Sequence, residues 1–180
     1  MTTPRRRAVL NGLANLPVFT GEQRTQILRR GLVVAGPGTV IEPGIKVRGR
    51  ATLTLGRGCF VNDDAYFDCE ADVVVGDYSL LAVGVTVLTS EHELRGPESD
   101  LAYGPPVARP VTIGTQVWLG ARAIVLPGVT IGDDCVVGAG SVVTRSCPPG
   151  GVYVGAPARR VRDTPHGAGR YEAASDVGAV

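Results

Sequence analysis

Two histidines occur in 180 residues, and one of them, His92, stands where a side chain can do proton chemistry. It lies near the start of LTSEHELRGPESDLAYGPPVARP, residues 88–110, a polar stretch rich in Pro and Gly that interrupts an otherwise regular pattern. The other, His166, falls close to the C-terminus. A lone histidine more often serves structure than chemistry, but long loops thrown out of a regular scaffold are where functional groups concentrate. An imidazole, with an ordinary pKa of about 6.5, is suited to take the proton of a hydroxyl while that oxygen attacks an electrophile. Glu91 and Glu93 offer carboxylates that either orient the ring or are simply solvated.

Other residue types add to the inventory. The one tryptophan, Trp118, precedes Leu119 at a position expected to face outward. Arg145 follows Thr144, and Arg159, Arg160 and Arg162 close the regular region; such cations either bind an anionic ligand or form an ordinary basic cap. Cys59, Cys69, Cys135 and Cys147 show no CxxC spacing, and Cys135 and Cys147 fall at positions expected to point inward. Buried structural thiols are expected, not a disulfide frame or a zinc site. A zinc site of three histidines cannot be assembled from this chain, and no metal is expected.

These groups need a rigid frame, and the frame is written as a repeat. Ile113, Leu119, Val125, Ile131, Val137 and Val143 stand six apart. Four positions after each comes Val117, Ala123, Val129, Cys135, Ser141 or Cys147, and Gly114, Gly120, Gly132 and Gly138 directly follow four of them. A spacing of six fits neither a helix nor simple strand alternation. It fits a triangular coil of three short strands per 18 residues, the hexapeptide signature of a parallel β-helix. Upstream the period returns at shifted phase, in Leu55, Val61 and Phe67 and then in Val75, Leu81 and Val87. Ile41, Val47 and Leu53 keep the spacing, while Val34 and Val40 fit a competing register.

The result is an all-β chain of about five coils. A helical cap covers residues 1–30, the β-helix spans 31–162 with the loop 88–110, and a flexible tail takes 163–180. The cap is required because an open first coil exposes an unpaired strand edge. A net charge of +1 gives no case for a nucleic-acid or membrane partner. Arg5-Arg6-Arg7 before Ala-Val-Leu looks like the start of an export signal, but Asn11, Asn15 and Pro17 break any apolar core, so a cytoplasmic protein is expected.

Residues 45–162 resemble the hexapeptide-repeat acyltransferases, in particular the maltose and galactoside O-acetyltransferase family. Thr89-Ser-Glu-His92 matches that family's T-x-x-H pattern. The run PVTIGTQVWLGARAIVLPGVTIGDDCVVGAGSVVTRSCPPGGVYVGAPARRVR matches its repeat core and closing segment. The resemblance implies a left-handed parallel β-helix, a homotrimer, and acetyl-CoA as donor. It casts His92 as the base that deprotonates an acceptor hydroxyl, which attacks the thioester directly. Asn62 and Glu70 fall at acceptor-contacting places, with Asp64 another polar position nearby; for Glu70, surface polarity is an equal reading. Trp118 would line the acyl-donor pocket near the histidine of an adjoining subunit, and Gly120, Ala121, Ala139 and Gly140 would let backbone and ligand approach closely. Thr144, Arg145, Arg159 and Arg162 match the family's CoA phosphate contacts. The rival readings are an N-acyltransferase on an amino sugar, an acyl carrier protein-dependent enzyme, and a non-catalytic trimeric scaffold. The N-terminus lacks a match to the family's helical segment, so the acceptor is open among a sugar, a polysaccharide unit and a natural-product hydroxyl.

Overall fold

Each side of the repeat is too short to bury anything alone, so the chain gains a core only by stacking one coil on the next. A computed structural model describes residues 4–94 and 103–165. The first coil runs β1 (Val33–Ala35), β2 (Val40–Ile41) and β3 (Lys46–Gly49), and the second β4 (Leu53–Leu55), β5 (Phe60–Val61) and β6 (Tyr66–Cys69). The third has β7 (Val73–Val75), β8 (Leu80–Leu81) and β9 (Thr86–Val87), after which the chain leaves as a hairpin of β10 (Ser90–Leu94) and β11 (Tyr103–Ala108). It rejoins as β12 (Val111–Ile113), β13 (Trp118–Leu119) and β14 (Ile124–Val125), then β15 (Thr130–Ile131), β16 (Val136–Val137) and β17 (Val142–Val143). With β18 (Gly151–Gly155) added on one side, the stack makes about six turns; β19 (Ala158–Asp163) doubles back antiparallel on β18.

Three flat walls result. The first is β1-β4-β7-β12-β15, the second β2-β5-β8-β13-β16-β18-β19 and the third β3-β6-β9-β14-β17. The shifted phase of the early repeat has a simple cause. Val33 pairs with Leu53 and Leu53 with Val73, twenty residues per coil, whereas Ile113 pairs with Ile131, eighteen apart. The extra two residues lie at the corner between the third and first walls, where Gly49 has φ of +93° and a Cβ would collide with the carbonyl of Cys69. Of the two early registers, Ile41, Val47 and Leu53 are buried, while Val34 is 58% exposed. All four cysteines are buried and free, as expected. Corner aspartates staple the coils: Asp72, Asp77 and Asp133 accept the backbone N–H of Thr52 (2.9 Å), Arg57 (2.9 Å) and Thr115 (2.7 Å).

The open edge is closed by α1 (Pro4–Ala14) and α2 (Gly21–Leu28). Asn15 donates to Ile45 O (2.8 Å) and accepts from Gly44 N (2.9 Å); Asn11 donates to Val47 O (2.9 Å) and accepts from Val47 N (3.3 Å). The two amides thus present donor and acceptor in alternation, as a neighbouring strand would. Thr20 and Gln23 form a capping box that starts α2. Arg24, 1% exposed, donates to the carbonyls of Ala14 (2.6 Å), Phe19 (3.0 Å) and Ile41 (3.2 Å) and lies 3.7 Å from Glu42. A buried guanidinium survives because its donors are satisfied. At the far end Asp163 finishes β19 and the buried Thr164 donates its N–H to Gly150 O (2.9 Å). The rest of the expected tail, residues 166–180, lies outside the described residues, as do 95–102 of the loop.

Replacing Asn15 by Ala removes the partner of the Gly44 N–H and of the Ile45 carbonyl on the first coil. The expected loss is about 1–3 kcal/mol, read as a lower midpoint in chemical denaturation. Asn15→Asp keeps the acceptor and should lose less; equal stability of all three proteins would refute the strand-like role.

Candidate active site

The excursion begins at Thr89, and the local bonding shows how the stack accommodates it. Between the first two coils, Ala51 N donates to Cys69 O (2.8 Å). One coil on, Ala71 would look for the Thr89 carbonyl, but that oxygen is taken by Arg109 N (2.7 Å) where the hairpin returns. The Thr89 hydroxyl replaces it, accepting from Ala71 N (3.0 Å) while donating to Asp68 O (2.7 Å). Asp68 contributes its carboxylate as well: Oδ2 accepts from Ser90 Oγ (2.7 Å), Ser90 N (3.1 Å) and Thr89 N (3.4 Å). Neither Asp68 nor Ser90 stands out in the sequence, because their proximity depends on a coil of twenty residues.

His92 lies on β10 opposite Pro106 of β11. Its Nδ1 is 2.9 Å from Gly104 O. A carbonyl only accepts, so Nδ1 carries the proton and the basic lone pair of the neutral ring lies on Nε2. Strand alternation puts Ser90 and His92 on one face of β10 and Glu91 on the other. There Glu91 makes an ion pair with Arg109, across the base of the hairpin. Glu91 is therefore not the group that orients the imidazole; the Gly104 carbonyl is.

The remaining predicted residues divide between two edges of the prism. Glu70 follows β6 at the third-to-first corner, beside the hairpin root, and Thr144 and Arg145 follow β17 toward the same edge. Asn62 and Asp64 sit at the second-to-third corner of their coil, where Asp64 has φ of +58° and Asn62 Oδ1 accepts from Asp63 N (2.8 Å). Gly120, Ala121 and Ala139 occupy this second edge higher up. Gly120 is closely stacked, since a Cβ would come 2.6 Å from Ala139 N, so its small size serves the neighbouring coil. Ala121 O accepts from Gly140 N (2.8 Å), and a Cβ at Gly140 would meet open space. The tip of the last hairpin is tied to this edge by Gly155 N to Ser141 Oγ (3.0 Å), which brings Arg159, paired with Val154, close to it. Arg162 pairs with Val152 further along the same hairpin, and both arginines are exposed. Arg160 is committed elsewhere, to Asp163 (2.6 Å) and over the Tyr153 ring (5.9 Å).

Trp118 stands on the outer face of the second wall, 52% exposed. Register places it between Leu80 and Val136, and Phe60 and Val40 continue the column. The thiols are unsuited to nucleophilic work. Burial pushes Cys147 up to about 11, with Cys135 adding to the effect, and burial raises Cys59 and Cys135 as well. Thiolate, not thiol, is the nucleophile.

Comparison with known proteins now decides the family. Residues 110–145 match the model of the hexapeptide repeat of succinyl-transferase. The chain is 33% identical over 146 residues to a galactoside O-acetyltransferase of Escherichia coli K12, covering 79% of this chain and 69% of that protein. The chain belongs to the hexapeptide-repeat O-acetyltransferase family. Among solved structures, a maltose O-acetyltransferase from Clostridium difficile 630 superposes with a TM-score of 0.77 at 31% identity, covering 89% of this chain and 85% of that one. A galactoside acetyltransferase in complex with coenzyme A gives a TM-score of 0.71 at 26% identity, covering 88% and 79%. This O-acetyltransferase family is acetyl-CoA-dependent, and the chain is accordingly an acetyltransferase. Among its described residues no helix is long and apolar enough to cross a membrane.

Proposed function

We propose that this acetyltransferase moves the acetyl group of acetyl-CoA to a hydroxyl of a saccharide, with His92 as general base. The observation that carries the reading is the Nδ1 contact to Gly104 O at 2.9 Å, which aims the ring's basic character through Nε2. An acceptor O–H loses its proton to Nε2 as its oxygen bonds to the acetyl carbon. The carbon–sulfur bond breaks, and the imidazolium returns the proton to the leaving thiolate, so base and charge are restored. The burial of all four cysteines favours this direct transfer over an acyl-cysteine route. A sugar acceptor is supported by the names of the galactoside and maltose relatives.

The donor fits the second edge. A smooth corner at Ala121, Ala139 and Gly140 suits a pantetheine arm. The exposed Arg159 and Arg162 of the adjoining hairpin suit phosphates, with Trp118 offering apolar area on the same wall. Thr144 and Arg145 stand on the other edge, with His92. A wall of four residues in β6, about 13 Å of strand, separates the two edges within one coil. We therefore take the site to be completed by a second copy, whose donor edge meets the histidine edge of its neighbour in a homotrimer. The apolar column Val40–Phe60–Leu80–Trp118–Val136 supports such packing of wall on wall. A cytoplasmic setting agrees with four free thiols.

His92→Ala should lower kcat by about 10²–10⁴-fold with the KM for acetyl-CoA little changed. A His92→Ala protein turning over galactoside and acetyl-CoA at the wild-type rate would exclude the base. Arg159→Ala or Arg162→Ala should instead raise the KM for acetyl-CoA about tenfold, since phosphate contacts are equal in ground and transition states. A short acetyl-pantetheine donor should erase that difference. Light scattering at micromolar concentration should give three times the chain mass; a monomer would remove the shared site.

A further inference from the structure

We infer that Asp68 is the positioning residue for His92 and acts through Ser90. This rests on the general-base reading above. One carboxylate oxygen of Asp68 collects three donors from the two residues where the hairpin departs: the Ser90 hydroxyl at 2.7 Å, its N–H at 3.1 Å and the Thr89 N–H at 3.4 Å. Hydrogen bonds to an ionised acceptor are roughly twice as strong as neutral ones. Asp68 itself sits on β6, inside the rigid stack, in register with Arg48 of β3. Ser90 is two residues from His92, on the same face of β10.

The division of labour follows from which strand holds which partner. Gly104 is on β11, so the bond that sets the ring's tautomer travels with the hairpin. Asp68 belongs to the wall, so its bonds set where the hairpin, and with it Nε2, stands relative to a substrate lying against the prism. The Glu91–Arg109 pair joins β10 to the residue that follows β11, where the hairpin returns. The Asp68 carboxylate thus ties the start of β10 to the coil beneath. A misplacement of about 1 Å is enough to cost about 100-fold in rate.

The test measures thiol release from acetyl-CoA with methyl β-galactoside as acceptor, which counts transfer to sugar and to water alike. Asp68→Asn should lower kcat about 10- to 100-fold while the KM for acetyl-CoA stays within about twofold. Ser90→Ala should follow it and Ser90→Thr, which keeps the hydroxyl, should restore turnover. Asp72→Asn is the control, since that carboxylate caps Thr52 N (2.9 Å) at the same corner without touching the hairpin. In a His166→Gln background, ¹⁵N spectra report His92 alone, and Asp68→Asn should retain the Nδ1–H tautomer, showing that the hairpin is still formed. Asp68→Asn should also cost nothing further in a His92→Ala protein. Wild-type turnover in both Asp68→Asn and Ser90→Ala, with His92→Ala inactive, would overturn the inference and leave the base standing. An added loss from Asp68→Asn on top of His92→Ala would overturn it too, since Asp68 would then act by another route. Full activity in His92→Ala would remove the general-base reading itself, and this inference with it.

Discussion

Backbone hydrogen bonds running from each coil to the next are the constraint on which the rest depends. One file of them can be followed up a single corner: Gly36 to Leu55, Gly56 to Val75, Gly76 to Ile113, Gly114 to Ile131 and Gly132 to Cys147, each N–H to carbonyl at 2.8 or 2.9 Å. The third step spans the excursion without a change in length. Gly76 needs a carbonyl one strand spacing away, so whatever leaves the stack after β9 must come back to the same place. An antiparallel hairpin is the economical solution, and its crossed base forces Thr89 to surrender one acceptor and supply another. The strand that carries His92 is thus released from the ladder, and side chains tie its root to the stack instead.

That release also explains why the residues around His92 are so unlike those of the walls. In the walls, position along the six-residue cycle decides identity: aliphatic inward, small or turn-forming at corners. At the hairpin root, hydroxyls and carboxylates take over. Thr89, Ser90, Asp68, Glu91 and Arg109 perform with directional polar contacts what stacking performs elsewhere. Such contacts specify geometry closely because an unsatisfied partner is costly.

The walls were legible in the chain because one aliphatic residue per side must point inward, and six such positions in phase leave little choice of architecture. Legibility fell where a side lengthens: the two residues added at Gly49–Ala51 and Glu70–Ala71 shift the phase, so Val34 and Ile41 compete until the backbone is seen. His92 could be found by type and place alone. Its supports could not, since Glu91 meets Arg109 and Asp68 meets Ser90 only after the hairpin closes. Asn11 and Asn15 carried a different lesson. In the sequence they only interrupt an apolar stretch, and in the structure their amides serve the first coil's edge.

Those asparagines have a counterpart at the opposite end, where β19 folds back on β18 and ends the second wall. A stack of identical coils has no intrinsic length; like a growing polymer, it offers at each end the template for one more unit. Here both ends are terminated chemically, one by side-chain amides that mimic a strand and one by a strand running the wrong way for further parallel addition. A chain trimmed of α1 would present the bare backbone groups of Gly44, Ile45 and Val47 to any extended segment in reach. That is the edge geometry from which fibrous aggregates grow. Residues 4–15 therefore act as a chain stopper, keeping a fold that is periodic in principle finite in practice.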